Sequence, residues 1–295
     1  MRRSPIRLKI SVVTVCKSRL DYLKQTLPQN LAVGFDEIIL VDYACPQKSG
    51  AWVSEYMSGV KVISVPDGDP FNLSRARNIG AEAATGDWLM FLDADIAAQP
   101  GLPDYLRQRA SPGLYFRTPQ DSNGQATAWG SFATSSSSFR RAGGYDEVYR
   151  GWGCEDADLY HKLEITGCRE AELPARFLSE LNNSDTERVL YNPIQQKAIQ
   201  QALNLMYLQA KKHAWVVHRR REELPLEWRQ DLYQAIMKHA SALSALHASD
   251  GPPVRIQVRL PSTGLRTVSP VRGKQSLLLE FEFTLTSAGL AASSI

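Results

Sequence analysis

Ile10–Val15, Glu37–Val41, Val60–Val65 and Trp88–Leu92 are short apolar runs separated by stretches of helical character, and no other feature constrains the fold of this chain as strongly. Tyr22, Leu23, Leu27 and Leu31 recur at helical intervals after the first run, and Ser74–Ala84 has helical composition before the fourth. Strands alternating with helices pair in parallel, because each crossover helix returns the chain to the same end of the sheet. The expectation is an α/β nucleotide-binding half built on four strands. Ligands of such open sheets collect at the carboxyl ends of the strands. That edge carries Cys16, Lys17, Arg19, Asp42 and the Asp93/Asp95 pair.

Beyond Gly101 the pattern loosens. Leu114–Arg117 and Ser131–Phe139 read as strands around a polar loop, Asn192–Val217 and Leu226–Leu246 as two long helices, and Gly251-Pro252-Pro253 as a break. Val254–Leu260 and Leu277–Leu285 then alternate as strands. The chain divides on this reading at residues 190 and 251, into a main domain (1–190), a helical extension (191–250) and a small β-rich segment (251–295). With 43% hydrophobic and 22% charged residues it can bury a core, which excludes a disordered or fibrous chain. The formal charge of +3 is too small an excess for a dedicated nucleic-acid binder.

Asp93 and Asp95 stand one residue apart after an apolar strand, so in extended geometry both point to one side and can face a shared cation. Hard carboxylate oxygens suit Mg²⁺ or Mn²⁺ carrying a diphosphate. A lone D-x-D triplet also occurs in surface turns and helix caps, and only its place after the fourth strand shifts the balance toward a site. Upstream, Arg77 opens a helix near the same edge and could meet a base or a phosphate, with Asn78 orienting it. An ordinary helix start capped by Asn72 or Ser74 is the other reading. Asp42 suits a donor edge on a base or ribose, or equally a turn before Pro46. Glu155, Asp156 and Asp158 cluster at a helix start, where acids complement the helix dipole without any catalytic role.

Taken together, Cys16-Lys17-Ser18-Arg19, Asp42, Ala76-Arg77-Asn78 and Leu92-Asp93-Ala94-Asp95 resemble the nucleotide-sugar half of family 2-type GT-A glycosyltransferases. Gly143-Gly144-Tyr145-Asp146-Glu147 followed by Gly151-Trp152-Gly153-Cys154-Glu155-Asp156-Ala157-Asp158-Leu159 resembles the C-terminal motif of β-1,4-galactosyltransferases and polypeptide N-acetylgalactosaminyltransferases. The two motifs stand in the family's order within residues 8–190.

The resemblance implies an α/β GT-A (nucleotide-diphospho-sugar transferase) fold, a Rossmann-like mixed sheet with a helical and small β C-terminal extension. It further implies a metal-dependent transfer of a hexose or N-acetylhexosamine, galactose-type donors leading, from a UDP-sugar to a hydroxyl acceptor with inversion. In the family's terms Asp95 binds the metal, Mn²⁺ or Mg²⁺, and Asp93 contacts ribose or metal. Asp42 and Arg77 hold the uridine, and Cys16 and Arg19 belong to the same donor-binding strand end. Trp152 and Gly153 lie by the sugar, Glu155 contacts donor or acceptor hydroxyls, and Asp156 corresponds to the base. The family often adds a downstream His as a metal ligand. This chain has Leu181-Asn182-Asn183-Ser184-Asp185 there, so either Asn183 or Asp185 substitutes or Asp95 and phosphate hold the metal together with water.

Two rivals remain. A nucleotidyltransferase would need a Gly-rich phosphate loop after the first strand, and Val15–Arg19 has none. A sugar-nucleotide or glycan-binding protein without turnover would be consistent with the altered metal position around Asn183. The expected partners are the UDP-sugar and a glycan, lipid-linked or protein acceptor, with no nucleic acid; a homo-oligomer is left open. Four cysteines without metal or disulfide spacing fit a reducing, cytoplasmic setting. Lys211, Lys212 and Arg219–Arg221, around Ala214–Val217, suggest a solvated helix face or a peripheral contact with the inner face of a membrane.

Overall fold

The structure, a computed structural model, describes residues 7–67, 70–119, 128–181, 190–192, 194–217, 222–248, 253–260, 278–286 and 289–294. The described residues form two compact units. The first runs to Glu147 and resumes from Leu159 to Leu181; the second comprises Val148–Asp158 and the residues from Leu190 on. The helical extension and the β-rich tail lie in one unit, together with the Val148–Asp158 stretch.

In the first unit, β1 (Ile10–Cys16), β2 (Glu37–Asp42), β3 (Val60–Ser64) and β4 (Trp88–Phe91) run parallel in the order β3-β2-β1-β4. β7 (Phe132–Ser135) adds antiparallel to β4, β6 (Leu114–Arg117) antiparallel to β7, and β8 (Arg169–Glu172) parallel to β6, closing a mixed sheet of seven strands. Buried apolar side chains on both faces explain why β1, β2 and β4 read as continuous hydrophobic runs. A short pair, β5 (Ile96–Ala98) and β9 (Leu178–Glu180), is antiparallel.

Helices α1 (Leu20–Ala32), α2 (Ser49–Tyr56), α3 (Leu73–Glu82), α4 (Leu102–Arg109) and α5 (Ser136–Arg141) connect these strands. α3 approaches β1 and β2 so closely that a Cβ at Gly80 would stand 2.4 Å from Val13 Cγ1. Glycine is the residue that permits this contact. Cys16 faces Asp42 across the sheet and Val13 faces Phe91, so Asp42 and the residues after Phe91 leave it at one edge.

Ser131–Phe139 is not one strand. β7 ends at Ser135, whose Oγ accepts the N–H of Ser138 at 3.0 Å and caps α5. The helix α6 (Glu155–Ile165) begins in the second unit and continues in the first.

The second unit contains α7 (Lys197–Val217), α8 (Leu226–Met237), α9 (Ala240–Ala248) and an antiparallel sheet of β10 (Val254–Arg259), β11 (Leu278–Thr286) and β12 (Gly289–Ser294). The expected helix over Leu226–Leu246 is two, separated by a turn in which His239 N–H donates to Ile236 O. Buried Ile256, Val258, Phe281 and Phe283 form the apolar side of β10 and β11, which lie against α8 and α9. Lys211 is fully buried, so it belongs neither to a solvated face nor to a membrane-facing one. Arg219–Arg221 lie outside the described residues. No described helix is long and apolar enough to cross a membrane.

Candidate active site

The Asp93-Ala94-Asp95 triplet leaves β4 in a turn rather than continuing the strand. Ile96 N–H donates to Asp93 O at 3.0 Å, so the two carboxylates do not share a side through strand alternation, and each has a different environment. The Asp95 residue is only 4% exposed, whereas the Asp93 side chain is 39% exposed. α1 pins this turn from its buried face. Thr26 Oγ1 donates to Ala94 O at 2.7 Å, Asn30 Nδ2 to Ile96 O at 3.2 Å, and Ala98 N–H donates back to Asn30 Oδ1 at 2.7 Å. Thr26 and Asn30 are one helical turn apart. Nothing in the sequence marked them except two polar residues on an otherwise apolar stripe.

Each carboxylate has its own arginine. Arg19 Nη1 lies 2.9 Å from Asp95 Oδ2, and Arg77 Nη2 lies 2.7 Å from Asp93 Oδ1. Burial and the neighbouring Asp93 charge still push the Asp95 carboxyl above its usual range, against the pull of Arg19. A buried carboxylate beside a half-exposed one at a strand end is a donor set that a hard divalent cation fits. The residues present therefore match Mn²⁺ or Mg²⁺. Asn183 and Asp185, expected as a further ligand, lie outside the described residues.

Other expected donor contacts are placed differently. Arg77 is 3% exposed, and its guanidinium lies 5.0 Å from the Tyr145 ring centre while it pairs with Asp93. Both Asp42 oxygens accept backbone N–H groups, Oδ1 from Cys45 at 2.8 Å and Oδ2 from Gly50 at 2.6 Å. Its carboxylate thereby organises the turn into α2. Cys16 is fully buried in the core and touches no surface. A hydrogen bond with Cys45 and burial raise the Cys16 thiol, while Cys45, which also accepts the Ser18 N–H at 3.2 Å, is lowered.

Asn72 is the cap of α3: its Oδ1 accepts the Arg75 N–H at 3.0 Å and its Nδ2 donates to Glu147 O at 2.9 Å. Asn78, also on α3, donates to Tyr145 O and accepts the Tyr145 N–H, fixing the Gly143–Glu147 segment.

In the second unit, Arg150–Cys154 forms an irregular loop into α6. Gly151, Gly153 and Cys154 all have positive φ, at 72°, 100° and 72°. Left-handed backbone at a non-glycine residue such as Cys154 is held only by surrounding structure. Glu155 and Asp156 follow in the first turn of α6, 7% and 8% exposed, and Trp152 is partly exposed with Lys197 Nζ 4.2 Å from its ring centre. Asp158, fully buried, pairs with Lys211 Nζ at 2.8 Å. Burial, then the Glu155 and Asp158 charges, push the Cys154 thiol up to about 12, so it is no nucleophile at neutral pH. Of the α7 residues that hold this loop, Gln200 and Asn204 escaped the sequence reading, and Lys211 was read only as part of a basic cluster. Their signal was a polar side chain at i, i+4 and i+11 along one apolar helix.

Residues 11–111 match the family described as Glycosyl transferase family 2, and residues 115–184 match the N-terminal domain of galactosyltransferase. Beta-1,4-galactosyltransferase 2 of Cricetulus griseus is 27% identical over 121 residues, covering 38% of this chain. The match spans about a third of that relative's length, 32%. Among solved structures, a mannosyltransferase from Pyrobaculum calidifontis in complex with GDP-Man and Mn²⁺ superposes with a TM-score of 0.54 and 14% identity. It covers 82% of this chain and 80% of that one. The S. aureus TarS 1–349 fragment in complex with UDP-GlcNAc superposes with a TM-score of 0.56 and 14% identity, covering 79% of this chain and 72% of that one. A mixed sheet with the acidic turn at its carboxyl edge, followed by sequence of the galactosyltransferase type, gives this chain the fold of the GT-A glycosyltransferases.

Proposed function

We propose that the protein transfers a hexose or N-acetylhexosamine, galactose-type donors first, from a UDP-sugar to a hydroxyl of a glycan, lipid-linked or protein acceptor, with divalent-metal dependence and inversion. The observation that carries this reading is the buried Asp95 beside half-exposed Asp93 at the carboxyl edge of β4, each braced by an arginine. The same fold binds GDP-Man with Mn²⁺ in one structural neighbour and UDP-GlcNAc in another, and the galactosyltransferase-type match favours UDP here.

Asp93 and Asp95 would hold Mn²⁺ or Mg²⁺, which when bound supplies positive charge to stabilise the departing diphosphate. Arg77 fixes the orientation of Asp93. Arg19, whose side chain is 21% exposed, is available to both Asp95 and a phosphate oxygen. From the motif resemblance, Asp156 takes the proton of the acceptor hydroxyl as its oxygen bonds to the anomeric carbon and the bond to UDP breaks. Glu155 hydrogen-bonds a sugar hydroxyl, and Trp152 offers its ring to the sugar.

A panel of UDP- and GDP-sugars assayed for nucleotide release, with Mn²⁺ and with EDTA, tests this. Metal-dependent UDP release from a hexose or N-acetylhexosamine donor is expected. Tight UDP-sugar binding without release from any donor, with acceptors supplied, would leave a binding protein and overturn the reading.

A further inference from the structure

One buried amide of α7 binds three carbonyls of the acidic loop. Asn204 Nδ2 faces three backbone carbonyls, those of Arg150 at 3.1 Å, Trp152 at 3.2 Å and Gly153 at 2.9 Å, while its Oδ1 accepts the Tyr233 hydroxyl at 2.9 Å. Tyr233, on α8, also accepts the Arg150 N–H at 3.2 Å. Three acceptors on one side of the amide and a donor on the other allow only one orientation of the Asn204 group. Asn204 is fully buried, as is Gln200 one turn earlier. A Cβ at Gly151 would lie 2.4 Å from Gln200 Oε1, so the loop backbone is seated directly on this helix face. Lys211, two turns further along, pairs with Asp158 at 2.8 Å and thereby fixes the first turn of α6. Tyr149, Tyr207 and Trp215 surround its ammonium, so ring faces and carboxylates hold the charge.

We infer that α7 is a working part of the transferase, with Asn204 as the positioning residue that sets the Arg150–Gly153 loop and, two residues on, the Glu155 and Asp156 carboxylates. The inference rests on the functional reading above and extends it to a helix that lies beyond both matched family segments. The physical reason is the loop's own conformation. Cys154 at positive φ is intrinsically unfavourable, and without an external donor three carbonyls would lose their shared partner. A loop free to relax carries Asp156 with it, and a displacement of about 1 Å in a reacting group costs on the order of 10²-fold in rate.

Asn204→Ala removes the amide, and Tyr233→Phe removes only the hydroxyl that orients it while keeping the ring packed at 5.1 Å on Tyr207. Three measurements on the full chain decide the matter: amide exchange of peptides spanning Val148–Asp158, UDP affinity by calorimetry, and steady-state transfer. Asn204→Ala should speed exchange in that stretch, leave UDP affinity within about twofold of the parent, and lower kcat on the order of 10- to 10²-fold, with Tyr233→Phe shifting the same quantities less. Unchanged exchange in both variants overturns the clamp. Faster exchange with unchanged kcat overturns the positioning role, as does an equal loss of kcat and UDP affinity, which is what general loosening of the fold would give. Absence of turnover in the parent protein would instead overturn the functional reading, and the exchange and UDP measurements would show which of the two had failed. Should Asn204→Ala not fold, Tyr233→Phe carries the test by itself.

Discussion

Arg19 Nη1 stands 2.9 Å from Asp95 Oδ2, and this pair joins the end of β1 to the acidic turn after β4. Arg19 is thereby a competitor for the carboxylate that a cation would use. Burial and Asp93 already disfavour the charge on Asp95, so neutralising it relieves a cost rather than breaking a strong pair. Asp95→Asn is expected to melt at or slightly above the parent temperature while losing metal-dependent UDP binding. Calorimetry with Mn²⁺ and with EDTA, beside thermal melts, checks both halves. UDP affinity equal in all conditions, in parent and variant alike, would remove the metal from the site.

Asp156 separates catalysis from capping. Asp156→Asn keeps the shape and most of the capping capacity of the first turn of α6 while removing the base. Transfer should fall on the order of 10²- to 10⁴-fold, with UDP-sugar affinity held and stability changed by no more than about 1 kcal/mol. Turnover within a few-fold of the parent would move the role to Glu155.

Acid sensitivity should originate at the other end of the sheet. Burial opposes ionisation of Asp36 and Glu37, yet Arg107 and the Ile10 N–H outweigh it at Asp36, and Ser11 with Thr85 outweigh it at Glu37. Both carboxyls are held below their ordinary values. Depressed folded-state values stabilise the fold above about pH 4, the unfolded range, and that stabilisation is lost as pH falls through the folded values. Urea midpoints from pH 7 down to pH 3 should therefore drop in the parent. The Asp36→Asn/Glu37→Gln double variant should start lower and fall less steeply; parallel curves would contradict the assignment.

Gly80→Ala tests the packing of α3. The added methyl would meet Val13 Cγ1 at 2.4 Å, and Val13 is buried in the sheet with no room to turn away. A loss of about 1–3 kcal/mol is expected from urea unfolding. UDP binding should weaken with it, because α3 carries Arg77 to Asp93.

The four parallel strands and the acidic triplet were legible in the sequence because each depends on local information: apolar runs of strand length, helical spacing between them, and two carboxylates at a strand end. Ser131–Phe139 was misread for the same reason. A run of serines has no strong preference, and the capping bond from Ser138 N–H to Ser135 Oγ, which turns strand into helix, depends on where Ser136 Oγ is fixed, on Gly86 O fifty residues away. The sequence marked Arg77 and Asp42 as candidates but could not choose their partners. Burial decided that Arg77 answers a carboxylate, because a buried charge must be satisfied by whatever the fold brings beside it, and the half-buried Asp42 accepts a pair of backbone N–H groups. Thr26, Asn30 and Asn204 went unnoticed on apolar helices for that reason: their value lies in carbonyls 51 to 68 residues distant, and only tertiary packing brings such groups within hydrogen-bonding range.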